Sequence, residues 1–252
     1  MQSIEALLRP VPGFSQLDGE VLERVAALGN LAETDSGDVL FEEGSLPESL
    51  YVLLDGRVSL TGTAPDASST VIDILGPSSS FVLANVLTGQ PYLMGAQSIT
   101  SSLMVRLPAA PIRTVVAEQP AAAMAMIRAM SVELADLTRQ VVDLKVRVAA
   151  QRLGTYLLGF VDEPSATKVD FRLPISKGLL APWLGCRAEN LSRAFTALRA
   201  FGVETHGSRV TLHDVSRLRA YAGVHARAGR PVPVEKAFGD AFRLRQGPIQ
   251  KN

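Results

Sequence analysis

ISKGLLAPWLGCRAENLSRAFTALRAFGVETHGSRVTL, residues 175–212, decides how this chain is read. It divides into a helical pattern over 176–184, a turn at Gly185-Cys186 and a second helical pattern over 188–201. A short strand pair, 203–205 and 209–212, then folds over Gly207-Ser208. Two helices joined by a tight turn make a helix-turn-helix, and the hairpin behind it reads as a wing. The second helix spaces Leu191, Ala194, Phe195 and Leu198 as an apolar stripe facing a core. Arg187, Glu189, Asn190, Ser192 and Arg193 lie near its N-terminal end, the part that enters the major groove in such motifs. Arg193 can donate twice to N7 and O6 of guanine, Glu189 can accept from a cytosine amino group, and Ser192 can bond base or phosphate. Lys177, Arg187, Arg199 and Arg209 suit phosphate contacts, which make binding salt-dependent. His206 falls at the wing, where a turn role and a phosphate contact are both open. Gly178 and Pro182 predict a short or bent first helix, because proline removes a backbone donor. Trp183 and Cys186 are read as packing residues.

The charge distribution points the same way. Formal net charge is zero, yet residues 1–150 carry 9 Lys+Arg against 17 Asp+Glu, and residues 151–252 carry 16 against 8. A basic half joined to an acidic one favours nucleic-acid binding by the basic part.

Upstream, Ala123, Ile127, Met130, Leu134, Leu137, Val141, Leu144 and Val148 recur at alternating spacings of 4 and 3. That 3.5-residue apolar repeat predicts a self-associating coiled-coil helix over 120–149. Ile127, Met130, Leu134, Leu137, Val141 and Leu144 are its dimerisation residues. Further upstream, short β-rich runs at 37–41, 49–56, 57–63, 70–76, 95–100 and 102–108 are separated by turns such as Asp55-Gly56 and Gly76-Pro77. They predict a small barrel or roll. Residues 3–31 read as short helices broken by Pro10, Pro12 and Gly13.

Two blocks of this sequence resemble the Crp/Fnr superfamily of bacterial regulators. GDVLFEEGSLPESLYVLLDGRVSL (37–60) is similar to the first strands of the cyclic-nucleotide-binding roll, and LGCRAENLSRAFTALRAFGV (184–203) is similar to the recognition helix. Glu189, Ser192 and Arg193 stand as E-x-x-S-R, the pattern of the Fnr branch, which implies a TTGAT-like inverted repeat as the DNA site. The Crp branch usually has Gly where Ser192 stands and Arg where Ala188 stands. The resemblance implies an α+β chain with a sensor roll (1–119), a dimerisation helix (120–149) and a winged helix-turn-helix (150–221). Its implied partners are duplex DNA, a second copy of the chain and RNA polymerase. The prolines, glycines and net positive charge of residues 222–252 predict a basic, loosely ordered tail.

The sensor departs from the nucleotide-binding pattern. Within VLANVLTGQPYLMGA (82–96), Leu83 stands where the family places a ribose-binding glutamate, and Tyr92 or Leu93 where it places a phosphate-binding arginine. A buried phosphate without a cation or amide cradle is costly, so no cyclic nucleotide is expected. Cys186 is the single cysteine, which excludes an iron–sulfur cluster of the Fnr kind. The stretch resembles the nitric-oxide-responsive dissimilatory nitrate respiration branch, which is associated with haem. A haem, an apolar small molecule and a filled core remain open, with Phe81, Leu83, Asn85, Leu87, Tyr92, Leu93, Met94 and Met130 as pocket candidates. The three histidines, His206, His213 and His225, all lie outside the roll. No Ser/His/Asp set, metal-spaced cluster or phosphate loop is present, so no catalytic or metal residue is assigned. An enzyme with a regulatory roll and a constitutive DNA binder with a vestigial sensor are the competing readings. Without a signal peptide or a spanning apolar run, a soluble cytoplasmic protein is expected.

Overall fold

The computed structural model describes residues 3–64, 69–161, 163 and 165–223. The expectation for the tail therefore lies, beyond Gly223, outside the described residues. The chain divides into two compact units, residues 1–135 and 136–252.

In the first unit, α1 (Ile4–Leu8) and α2 (Gly19–Ala27) precede eight strands: β1 (Asn30–Thr34), β2 (Val39–Phe41), β3 (Ser49–Asp55), β4 (Val58–Thr63), β5 (Ser69–Leu75), β6 (Ser79–Phe81), β7 (Gly95–Ser98) and β8 (Ser102–Pro108). Helix α3 (Leu83–Thr88) interrupts the strands, and α4 (Ala109–Glu118) leads into α5 (Pro120–Val146). The strands form two antiparallel four-stranded sheets, ordered β1-β8-β3-β6 and β2-β7-β4-β5.

Strand β3 explains the packing. Leu50 and Val52 join a core built with α1, α2, α4 and the first turns of α5, where Leu8, Phe14, Leu22, Ile112, Ala122 and Met126 meet. Tyr51 and Leu53, on the opposite side of the strand, join Phe41, Val58, Leu60, Phe81, Tyr92, Ala96 and Met104 inside the roll. A strand buried on both faces reads as a continuous apolar run rather than an alternation. Strand β1 was not expected: it is a largely exposed edge strand, so it carries little apolar signal.

Gly56, between β3 and β4, has φ +90°, a region that side-chain-bearing residues rarely adopt. A Cβ there would also overlap the Ser102 hydroxyl and lie 2.5 Å from the Ser101 carbonyl oxygen and 2.6 Å from Ser102 Cα. Gly56→Ala is expected to cost roughly 2–3 kcal/mol, lowering the melting temperature by about 5–10 °C. An unchanged calorimetric midpoint would contradict this account of the turn.

In the second unit, the long helix ends at Val146, short of the expected 149. Val148 is extended, and its backbone N–H donates to Oε1 of Gln151 at 3.2 Å, which starts α6 (Ala149–Leu158) as a separate helix. Beyond it come β9 (Val169–Arg172), α7 (Lys177–Trp183), α8 (Ala188–Leu198), a 3-10 turn (Arg199–Phe201), β10 (Val203–His206), β11 (Arg209–Leu212) and α9 (Val215–Ala222). The strands pair antiparallel in the order β10-β11-β9. Leu153, Leu157, Leu180, Leu191, Phe195, Leu198, Val210, Leu212 and Leu218 are buried in this unit. Among the described residues no helix is long and apolar enough to cross a membrane.

Candidate nucleic-acid interface

Helix α7 is short, as its glycine and proline predict. Ser176 caps its start by accepting the Leu179 N–H at 3.3 Å, and Pro182 sits in its final turn. Gly185 then takes φ +64°, while Cys186 N–H donates to the Ala181 carbonyl at 2.9 Å. This left-handed closure ends one helix and frees the chain to start α8 after an extended Arg187.

The two faces of α8 divide cleanly. Leu191, Ala194, Phe195 and Leu198 are buried. Arg187, Glu189, Asn190, Ser192 and Arg193 are all exposed. Glu189, Ser192 and Arg193 follow the i, i+3, i+4 spacing of one helical face. Among the described residues, no hydrogen bond or ion pair within the chain engages these five side chains. Their donors and acceptors face solvent. Lys177 is exposed and its Nζ lies 4.8 Å above the Phe195 ring, which holds this ammonium beside α8.

The wing adds a residue that the sequence reading missed. Its register aligns His206 with Arg209, and Arg209 with Arg172 of β9. All three are exposed, so the hairpin tip carries a row of two arginines and a histidine across three strands. Arg172 was hidden because β9 has only four residues and lies before the motif. The next row is different: Glu204 lies 2.8 Å from His213 Nε2, and that hydrogen bond holds its carboxyl below the usual range. Trp183 packs edge-on to Tyr156 at 5.1 Å. Burial pushes the Cys186 thiol up against the opposing charge of Arg152, which fits packing rather than reactivity.

The pocket candidates in the first unit do not converge. Phe81, Tyr92 and Met94 meet inside the roll, whereas Leu83, Leu87 and Met130 belong to the helical core. Leu93 is 79% exposed. Asn85 donates to the carbonyls of Pro91 at 2.8 Å and Gln90 at 3.4 Å, fastening the turn after α3. The roll interior is filled with rings: Phe41 stacks on Tyr92 at 4.0 Å, and Tyr51 stacks on Phe81 at 5.3 Å. Tyr92 donates its hydroxyl to the Ser49 carbonyl at 3.3 Å, and desolvation pushes its pKa up to about 12. A phenol so held is a poor source of phenolate for iron, so Tyr92 does not fit the role of a haem ligand. Val82, which opens α3, packs against both cores and has φ +62°, a strained conformation for a β-branched residue.

Comparison with known proteins gives matches along most of the chain. Residues 32–119 match the family described as Cyclic nucleotide-binding domain, and residues 151–221 match the Crp-like helix-turn-helix domain. The chain is 28% identical over 213 residues to the nitrogen fixation regulation protein FixK of Bradyrhizobium diazoefficiens, covering 82% of this chain and 88% of that one. It is 26% identical over 194 residues to the CRP-like cAMP-activated global transcriptional regulator of Mycobacterium tuberculosis, covering 72% and 83%. Among solved structures, FixK2 from Bradyrhizobium japonicum matches with a TM-score of 0.64 at 18% identity, covering 76% and 96%, which shows a shared fold.

Proposed function

Since this chain belongs to the Crp/Fnr family of transcription regulators, we propose that it is a homodimer that reads a TTGAT-like palindrome without needing a cyclic nucleotide. The observation that carries the reading is the solvent-facing Glu189, Ser192 and Arg193 on α8, free of partners within the chain among the described residues. Division into a sensor (1–119), a dimerisation helix that ends at Val146 rather than 149, and a DNA-binding unit (150–221) belongs to the same proposal, as do RNA polymerase as partner and the cytoplasm as location.

Dimerisation is supported by the seam. Within α5, Ile127, Leu134, Leu137, Val141 and Leu144 are exposed on the single chain. Ile127, Leu134 and Val141 take one heptad position, while Met130, Leu137 and Leu144 take the other. β-Branched residues at two of the three first positions (Ile127 and Val141) and leucine at two of the three second positions (Leu137 and Leu144) favour two parallel strands. Two recognition helices then meet half-sites about one helical turn apart.

Independence from cyclic nucleotides is supported by the ring-filled roll and by Leu83, an apolar residue turned into the helical core. The same filling favours a second reading, constitutive DNA binding with no effector, over a nitric-oxide or redox sensor. One titration addresses the proposal: fluorescence anisotropy of a TTGAT palindrome and a scrambled duplex at several salt concentrations, with and without cyclic AMP. The palindrome is expected to bind at least about a thousandfold more tightly, and cyclic AMP is expected to change neither affinity nor melting temperature. Equal binding to both duplexes removes the palindrome reading, and a melting temperature raised by cyclic AMP restores nucleotide sensing. A Soret band from the purified protein would restore haem.

A further inference from the structure

Arg152 stands where α5 ends and α6 begins, and all three of its nitrogen atoms are engaged. Nη1 donates to the Arg147 carbonyl at 2.6 Å, Nε to the Leu184 carbonyl at 2.8 Å and Nη2 to the Gly185 carbonyl at 3.3 Å. The first acceptor belongs to the end of the long helix. The other two belong to the turn from which α8 springs, and they are carbonyls that a helix C-terminus leaves without partners. Beside this knot, Leu144 of the seam rests on Gly185 so closely that a Cβ on that glycine would overlap its Cδ2. A rigid planar fork and one apolar peg thus fasten the helix-turn-helix turn to the last turns of α5.

We propose that Arg152 is a positioning residue for DNA recognition: with Leu144 and Gly185 it sets the direction in which α8 leaves the dimerisation helix. This rests on the palindrome reading above. Arg152 touches no base. It acts by fixing the recognition helix to the element that carries the two-fold axis, so its loss broadens the half-site spacing that the dimer accepts. A change of one base pair turns one half-site about 34° and moves it about 3.4 Å relative to the other, which a rigid head rejects and a loosened head follows.

The test compares wild type, Arg152→Lys and Arg152→Gln on palindromes with the spacing shortened or lengthened by one base pair. Wild type is expected to prefer one spacing. Both variants are expected to lose roughly tenfold or more on that spacing, about the cost of one mismatched base pair, and to discriminate less among the three. Lysine keeps the charge but not the fork, so Arg152→Lys separates geometry from electrostatics. Trp183, the single tryptophan, immediately precedes Leu184 and reports on the turn without DNA. Its quenching by iodide is expected to rise in both variants while the dimer persists. Unaltered spacing preference in both variants overturns the proposal, as does wild-type behaviour of Arg152→Lys, which would make the role one of charge. An equal loss on every duplex, with unchanged iodide quenching, also overturns it. If wild type itself shows no spacing preference, the palindrome reading has failed and the positioning role falls with it, whatever the iodide data show.

Discussion

Arg193→Ala is expected to remove sequence-specific binding while leaving the folded dimer intact. Both protomers carry the change, so a symmetric site loses two bidentate contacts at once. At roughly 1–3 kcal/mol each, the loss amounts to between about thirtyfold and twenty-thousandfold in affinity for the palindrome. The scrambled duplex loses far less, because its binding rests on phosphates rather than base edges. The side chain is exposed and opposite the buried Leu191, Ala194 and Phe195, so truncation opens no cavity, and stability is expected to change by no more than about 0.5 kcal/mol. Arg209→Ala should behave differently, weakening palindrome and scrambled duplex alike and reducing the salt slope by about two per dimer. Anisotropy titrations at three salt concentrations distinguish the two patterns. Should Arg193→Ala bind the palindrome as wild type does, or weaken both duplexes equally, Arg193 does not read a base.

How much of this was legible in the sequence follows from where each signal is written. The α8 face was readable because a helix brings Glu189, Ser192 and Arg193 together through local spacing alone. Most strands of the roll were readable for the same reason, as runs bounded by turns. What was not readable depends on contacts between distant segments. Phe41, Tyr51, Phe81 and Tyr92 come from four separate segments, and only the closed roll stacks them. Leu83, Leu87 and Met130 have the composition of a pocket, yet lie in a different core from Phe81 and Tyr92. Arg172 joins His206 and Arg209 in one exposed row only through the β11–β9 register. Val148 continues the heptad count, but its backbone N–H donates to the Gln151 side-chain oxygen and starts a new helix. Periodicity cannot register such a competition between caps.

Leu137→Glu is expected to convert the dimer to monomers without unfolding either unit. Leu134 and Leu137 are 66% and 45% exposed on the single chain, so a second copy has apolar area on this helix to cover. At the seam position of Leu137, the two glutamates of a dimer face each other in an apolar interface. An uncompensated buried charge costs on the order of 3–5 kcal/mol, which raises the dissociation constant of the dimer by several hundredfold or more. Val132 is equally apolar and 51% exposed on the same helix, but lies off the 4-3 repeat. Val132→Glu therefore serves as the control for a specific seam rather than a generally sticky helix. Sedimentation should give about twice the 26.9 kDa chain mass for wild type and Val132→Glu, and the chain mass for Leu137→Glu. Palindrome affinity should collapse with the dimer, because each half-site then binds alone and the effective concentration of the second head is lost. A dimeric Leu137→Glu, or a wild-type chain that stays single at the concentrations where it binds the palindrome, would refute the parallel seam and leave the two recognition helices without a common axis.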